Sequence, residues 1–549
     1  QLHYYKSGTG SGGMVNVNKV TGILEALEES EGVQVYEPLV DIYREWEKDH
    51  PFDEGVGWGN EPWSQEEMEL NEALVEEAAE KNEYAIVILA RTAGEDKDNK
   101  MLEGAYCLTS IEEDMLQKVR KSFAKMIVLL NTGNIMDMSF MDQYRPDAVM
   151  YVWQGGMIGG LGTVDVLTGK VCPSGRLSDT IAAQMSDYPA DPYFGGLEQN
   201  LYVEDIYVGY RYFESVAKSK VLYPFGFGLS YTTFSMEAGE FSYAENQVSF
   251  VMKVTNTGSV AGKEVVQVYA KAPLGKLGKP ARVLIDFKKT KELKPGECAK
   301  LTFAIPTSVF ASYNEVSTAE MSTGWVLEAG EYTIYAGGNV RDAYAVGSFT
   351  LDELQIVEEC RNALAPTTAF KRMKMTAANE HAEAAGVYEI AMEEVPLRVV
   401  SPEEKRNAEL PESYEMTGDR GIKLADVKAG KATLDEFVAQ LTEEELASIV
   451  RGEGMGSPKV TAGTAAAFGG VTKSLLEKGI PCGCCDDGPS GMRLDSGMKA
   501  FSLPNGTLLA CTFNTQLNEE LYAFTAVEMI KNRVDILLGP GMNIHRHPL

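Results

Sequence analysis

The most constraining feature of this sequence is a series of short, fully apolar segments separated by helical patterns. The segments lie at residues 84–90, 126–130 and 148–153. Strands read as continuous apolar runs when helices cover both faces of a parallel sheet. The pattern therefore predicts an α/β sandwich domain over residues 1–235. In such a domain a functional site is expected at the carboxyl ends of the strands.

The pattern changes after residue 235. Over residues 236–355, short strand-like runs alternate with turn signals such as Asn256-Thr257-Gly258 and Pro295-Gly296-Glu297. This spacing predicts a β-sandwich of fibronectin type III size. Residues 356–432 are polar and weakly periodic, and we interpret them as a linker that packs over the other domains, with a free linker as the alternative.

Residues 433–549 repeat a strand, loop and helix order, with predicted strands at 480–485, 508–511 and 534–538. The order is typical of a (β/α)8 barrel of the TIM type, which takes roughly 250 residues. The segment is too short for that, so we expect only the first part of the barrel here, with its remainder in a separate chain or lost. The predicted fold class is therefore α/β multidomain.

Composition excludes several classes of protein. The 50 Lys and Arg against 80 Asp and Glu leave a net charge of −30, which disfavours binding to nucleic acid or to an anionic membrane. No apolar run is long enough for a membrane span. The eight cysteines are too sparse for a disulfide framework, which favours a cytoplasmic protein. Because the chain starts at Gln1, a removed leader stays open, as does a homo-oligomeric state.

Several motifs carry candidate chemistry, each with a plainer interpretation. Gly8-x-Gly10-x-x-Gly13 matches a dinucleotide fingerprint, but no strand leads into it, so a tight loop is favoured. The charged loop 92–98 follows the strand 84–90 and is either solvated or holds a general acid/base.

The cysteines at 482, 484 and 485 lack a second ligand pair, so we expect no metal. Asp487 and Arg546 follow predicted barrel strands, where sites form, although a turn and a structural ion pair would also explain them.

Taken together, these stretches resemble glycoside hydrolase family 3, in particular its bacterial β-glucosidases with reversed domain order. The resemblance covers most of the chain apart from the linker. The matching segments are 7–12, Gly94-Glu95, 151–156, 166–169, 173–177, 204–212, 224–234, 487–493 and 538–546.

The resemblance implies a retaining, exo-acting β-glucosidase that acts on short β-glucosides and needs no cofactor. It implies that Glu95 is the general acid/base, that Asp487 and Arg546 bind sugar hydroxyls, and that Arg493 and Ser11 line the same subsite. Retention requires the two catalytic carboxyl groups to lie about 5 Å apart. A neighbouring lysine, Lys97, would favour the ionised form of Glu95, whereas burial under a substrate would favour the protonated form.

One departure from the family pattern is important. The family's nucleophilic aspartate lies late in the barrel, and the 549 residues stop before that point. We therefore expect further barrel sequence in the intact enzyme, as part of the protein or as a second chain, and assign neither Asp486 nor Asp487 as nucleophile. A β-xylosidase of the same family and a non-catalytic carbohydrate-binding relative remain as alternatives.

Overall fold

The computed structural model describes residues 2–10, 12–57, 59–95, 97–318, 321–362, 364–399, 401–411 and 413–549. Among these residues, none of the helices has both the length and the apolar character that a membrane crossing requires.

The first domain is built on a parallel sheet. Strand β1 pairs in parallel with β2, and β2 with β3, as the apolar runs predict. The helices are α1 (Ile23–Glu28), α2 (Glu37–Asp49), α3 (Glu72–Lys81), α4 (Ser110–Ser122), α5 (Phe140–Tyr144), α6 (Gly159–Leu167) and α7 (Tyr210–Val216). The strands are β1 (Tyr84–Arg91), β2 (Lys125–Thr132), β3 (Ala148–Tyr151), β4 (Ile181–Ala182) and β5 (Val221–Tyr223).

A buried ion pair fixes the carboxyl end of β1. Arg91 donates two hydrogen bonds to Glu112 on α4, at 2.7 and 2.6 Å, and both side chains are at most 6% exposed. Glu112 also closes a capping box with Thr109 at the start of α4. The point at which β1 passes into its following loop is therefore held by charge-assisted hydrogen bonds.

The second domain is a β-sandwich. One sheet has the strand order β10-β9-β14-β15, and the other has β11-β8-β6 with β7 added to β8. Buried side chains from both sheets form a single core. The strands are β6 (Phe234–Ala238), β7 (Ser242–Ala244), β8 (Gln247–Asn256), β9 (Val265–Lys271), β10 (Val283–Lys289), β11 (Cys298–Pro306), β12 (Ser312–Asn314), β13 (Gly324–Leu327), β14 (Gly330–Gly337) and β15 (Tyr344–Leu351).

The segment interpreted as a linker contains regular structure. Strand β16 (Gln355–Glu359) pairs with β13, and β17 (Lys371–Thr376) forms an antiparallel hairpin with β18 (Glu389–Glu394). Helices α8 (Glu380–Ala384) and α9 (Pro402–Ala408) complete it. The hairpin packs on the first domain, where Met373 N donates to the Val203 carbonyl at 2.7 Å and Met375 N donates to Tyr207 Oη at 2.8 Å.

The last segment contains a small sheet surrounded by helices. Strand β20 pairs in parallel with β21 and antiparallel with β19. The helices are α10 (Leu424–Lys428), α11 (Leu434–Ala439), α12 (Glu443–Arg451), α13 (Lys473–Glu477), α14 (Gly506–Cys511) and α15 (Thr515–Asn532). The strands are β19 (Ala466–Gly469), β20 (Cys482–Asp487) and β21 (Ile536–Leu538).

The strand predicted at residues 508–511 is wrong, because these residues form helix α14. The Asn505 side chain caps this helix by accepting a hydrogen bond from Leu508 N at 3.0 Å. A short apolar run has no periodicity that distinguishes a strand from a helix. Here the Asn505 cap favours the helix because it satisfies one of the first backbone N–H groups.

Candidate active site

Glu95 lies in the loop that follows β1, with its side chain exposed. The loop is held by the glycine-rich segment near the start of the chain. Thr9 N donates to the Ala93 carbonyl at 2.7 Å, and Thr9 and Gly94 form a parallel bridge. The carboxyl end of a parallel strand thus presents Glu95 at the edge where such sheets place their sites.

Gly10 lies directly against Glu95. Its φ is +84°, and a Cβ at this position would lie 2.6 Å from Glu95 Cγ. Any larger residue would be strained in its backbone and would collide with the Glu95 side chain. The glycine-rich loop that matched a dinucleotide fingerprint therefore forms a wall beside this carboxylate.

Asp487 is the last residue of β20 and is half-buried. Arg493, whose backbone N–H donates to the Asp487 carbonyl at 2.9 Å, follows in the same loop, and its Nε donates to Asp495 Oδ1 at 2.9 Å. Burial raises the pKa of Asp487, the nearby Arg493 lowers it, and the negative charge of Glu95 raises it again. Glu95 therefore lies close enough for its charge to act on the ionisation of Asp487, although the two residues belong to different domains.

Two sets of hydrogen bonds hold these domains together around the carboxylates. In the first, Ser490 N donates to the Gly12 carbonyl at 3.2 Å, and Asn16 Nδ2 donates to the Leu494 carbonyl at 2.7 Å. The glycine-rich segment therefore touches both the Glu95 loop and the Asp487 loop.

The second set lies at the end of β3. Met157 N donates to the Ser502 carbonyl at 3.1 Å, and Asn505 N donates to the Gln154 carbonyl at 2.9 Å. Gly156 adopts a φ of +74° here, and a Cβ would lie 2.5 Å from the Ser502 carbonyl oxygen. This close backbone approach sets the distance between the two domains.

Arg546 has a different partner from the one that a sugar-binding role requires. It forms two hydrogen bonds to Glu204, at 2.5 and 2.9 Å, and a third to the Leu201 carbonyl at 3.2 Å. Its guanidinium carbon lies 4.2 Å from the centre of the Tyr202 ring. The geometry describes an interdomain ion pair, and sugar binding by Arg546 stays a prediction.

The remaining sequence predictions have mixed outcomes. Ser11 lies outside the described residues. Lys97, expected to act on the Glu95 charge, directs its ammonium to the Trp63 ring, 4.2 Å from the ring centre. Within the described part of the chain, no group of three or more His, Cys, Asp or Glu side chains is arranged to hold a metal ion.

Comparison with known proteins identifies the family. The model of the glycosyl hydrolase family 3 C-terminal domain matches residues 3–231, and that of the fibronectin type III-like domain matches residues 264–340. "Beta-glucosidase A" of Butyrivibrio fibrisolvens is 35% identical over all of this chain, which covers 71% of that relative. The chain belongs to glycoside hydrolase family 3. Its α/β domain followed by a fibronectin type III-like domain fits this assignment.

Other β-glucosidases also match this chain. A "Beta-glucosidase" of Ruminococcus albus is 55% identical over the full chain, which spans 57% of that protein's length. The crystal structure of a β-glucosidase from Paenibacillus barengoltzii matches the full chain with a TM-score of 0.95 at 51% identity, and 60% of that structure is covered. β-Glucosidase 3B of Thermotoga neapolitana, solved in complex with α-D-glucose, gives a TM-score of 0.57 at 35% identity and matches 64% of this chain and 49% of its own.

One titratable group beside the candidate site was not assigned a role from the sequence. The Asp486 side chain is 0% exposed. The backbone N–H groups of Asp487 and Ala465 are near enough to lower its pKa, but within the described residues neither carboxylate oxygen has a hydrogen bond of normal geometry. Burial, together with the negative charges of Asp487 and Asp495, raises the pKa of Asp486 to about 7. An acidic residue that directly follows the predicted strand 480–485 is the signal that could have identified it.

Proposed function

We propose that the protein is a retaining, exo-acting β-glucosidase that releases glucose from the non-reducing ends of short β-glucosides. The observation that carries this proposal is that Glu95, in the loop after β1, lies close enough to Asp487, at the end of β20, for its charge to raise the pKa of Asp487. The glycine-rich segment contacts the loops of both residues. The names of the family relatives support the same substrate class.

In this proposal Glu95 is the general acid/base. It protonates the glycosidic oxygen as the nucleophilic aspartate, which is not among these 549 residues, attacks the anomeric carbon and the bond to the leaving oxygen breaks. It then removes a proton from the water that displaces this aspartate from the anomeric carbon and releases the sugar. Its exposed position at the tip of the loop leaves it accessible to a leaving group. An acid/base carboxylate and a nucleophilic carboxylate are sufficient for this chemistry, so the proposal includes no cofactor.

Asp487 and Arg493 bind the sugar. A carboxylate accepts hydrogen bonds from sugar hydroxyls, and a guanidinium donates to ring or hydroxyl oxygens. Arg493 also limits the rise in the pKa of Asp487 that burial produces. An ionised Asp487 would bind hydroxyl groups more strongly than the neutral acid because charge-assisted hydrogen bonds are stronger.

We further propose that residues 433–549 form the first part of a (β/α)8 barrel. The parallel pairing of β20 with β21, with α15 between them in sequence, supports this, as does the position of Asp487 at a strand's carboxyl end. The nucleophilic aspartate then belongs to barrel sequence that is not among these 549 residues, within the protein or on a second chain. The eight unpaired thiols support a reducing, cytoplasmic environment.

Hydrolysis of aryl β-D-glucoside and aryl β-D-xyloside by the protein at its natural length tests the proposal. We expect preference for the glucoside, and we expect Glu95→Gln to lower kcat by about 10²- to 10⁴-fold while inhibition by glucose is kept. Glu80→Gln, an exposed residue on α3, is the matched control and should leave both unchanged. Unchanged turnover in Glu95→Gln would remove Glu95 from the mechanism, and preference for the xyloside would favour the sibling activity.

A further inference from the structure

Lys97 follows Glu95 by two positions in the same loop, and its ammonium lies over a neighbouring aromatic ring. Its Nζ lies 4.2 Å from the centre of the Trp63 ring and donates a hydrogen bond to the Glu61 carbonyl. Stacking of an ammonium on an indole face, together with a hydrogen bond, fixes the direction of an otherwise flexible side chain.

Trp63 also forms a hydrogen bond with the other end of the loop that carries Glu95. Thr92, the first residue after β1, donates its backbone N–H to the Trp63 carbonyl at 2.8 Å. Residues 61–63, which we call the 61–63 strap, therefore contact the loop before Glu95 through Thr92 and after it through Lys97. On the opposite side, Thr9 N bonds to the Ala93 carbonyl at 2.7 Å.

The charges of the strap favour this arrangement. The Glu61 carboxyl is partly buried, and that burial raises its pKa, whereas the positive charge of Lys97 lowers it. Burial in turn lowers the pKa of Lys97, and the charge of Glu61 raises it. Lys97 is therefore attracted to the strap by the charge of Glu61 as well as by the Trp63 ring.

We infer that Lys97 is a positioning residue for Glu95, and that it acts by clamping the end of the acid/base loop onto Trp63. The inference rests on the proposed function. A loop held at only one end would leave the carboxyl group free to swing away from the glycosidic oxygen, and misplacement by about 1 Å can cost 10²-fold in rate. Lys97 itself touches neither substrate nor reacting atoms in this role.

The leaving group of the substrate separates this role from a merely structural one. Methyl β-D-glucoside needs a proton on its leaving oxygen, whereas 2,4-dinitrophenyl β-D-glucoside leaves without one. For Lys97→Met we expect kcat/KM to fall about 10- to 100-fold with the methyl glucoside and less than about threefold with the dinitrophenyl glucoside. Lys97→Arg keeps the stacking and the donor, and should restore most of the loss.

Two further variants complete the design. Trp63→Leu removes the ring that Lys97 contacts. It should lower kcat/KM for the methyl glucoside much more than for the dinitrophenyl glucoside, as Lys97→Met does. This variant provides a second test if Lys97→Met does not fold. Lys100→Met replaces an exposed lysine of the same region and should leave both kcat/KM values unchanged.

Equal losses with both substrates in Lys97→Met and Trp63→Leu would overturn the inference, as would wild-type values in both variants. Either result leaves the proposed function intact, because the unaltered protein still hydrolyses the glucosides. Lack of hydrolysis by the unaltered protein at its natural length would instead overturn the proposed function, and this inference with it.

Discussion

The Arg546 ion pair provides the sharpest test of the structure, because sequence resemblance and geometry assign this residue different roles. We consider replacement of Arg546 by Met, which keeps much of the apolar stem and removes the guanidinium. Sugar binding predicts a raised KM with unchanged stability. An interdomain ion pair predicts a loss of stability.

The expected loss follows from the burial of the pair. The Glu204 side chain is 0% exposed and that of Arg546 is 11% exposed, and two hydrogen bonds join them at 2.5 and 2.9 Å. Removing one member of a buried pair leaves the other charge without compensation, which costs about 3–5 kcal/mol. The lost contact with Tyr202 adds to this loss.

Urea unfolding followed by tryptophan fluorescence measures the effect, as a shift in the midpoint of the transition that includes this interface. Glu204→Gln and the double variant complete a cycle, in which the double variant should lose less than the sum of the single losses. Arg420→Met is the matched control, because Arg420 is 50% exposed and 3.9 Å from Glu436, and should cost less than about 1 kcal/mol. A midpoint unchanged in Arg546→Met, with a raised KM for glucosides, would refute the reasoning.

Two further predictions concern residues beside the carboxylates. Gly10→Ala should lower kcat/KM for an aryl glucoside at least about tenfold, because the new Cβ collides with Glu95. Gly32→Ala has almost the same backbone strain, with a φ of +82° and no atom within 4 Å of its Cβ, so equal rate losses in both variants would contradict this explanation. Asp486→Asn should stabilise the protein by about 2–4 kcal/mol at pH 8 and hardly at all at pH 4. The reason is that a pKa raised to about 7 makes the native state bind more protons than the unfolded state between about pH 4 and 7, so stability falls as pH rises through that window. Equal urea midpoints for the variant and the unaltered protein at pH 8 would show that ionisation of Asp486 does not lower the free energy of unfolding.

Much of the local structure could be predicted from sequence because it depends on neighbours along the chain. The apolar runs at 84–90 and 126–130 correspond to strands β1 and β2, and Thr442 with Glu445 forms the capping box of α12. A continuous apolar run indicates a strand that is buried on both faces, and a capping box indicates that the first N–H groups of a helix are satisfied. Each pattern is contained in a few consecutive residues, so it can be recognised in the sequence. The short run at 508–511 was ambiguous for the same reason, since its helical state depends on the Asn505 cap.

The sequence by itself determined the order of the α/β and fibronectin type III-like domains, and it identified Glu95 and Asp487 as residues that follow strands. Only the tertiary structure decided that the charge of Glu95 acts on Asp487, that Lys97 turns toward Trp63, and that Arg546 pairs with Glu204. The physical reason is that a charged side chain takes the partner that compensates its desolvation, and that partner is set by how domains pack and not by spacing along the chain.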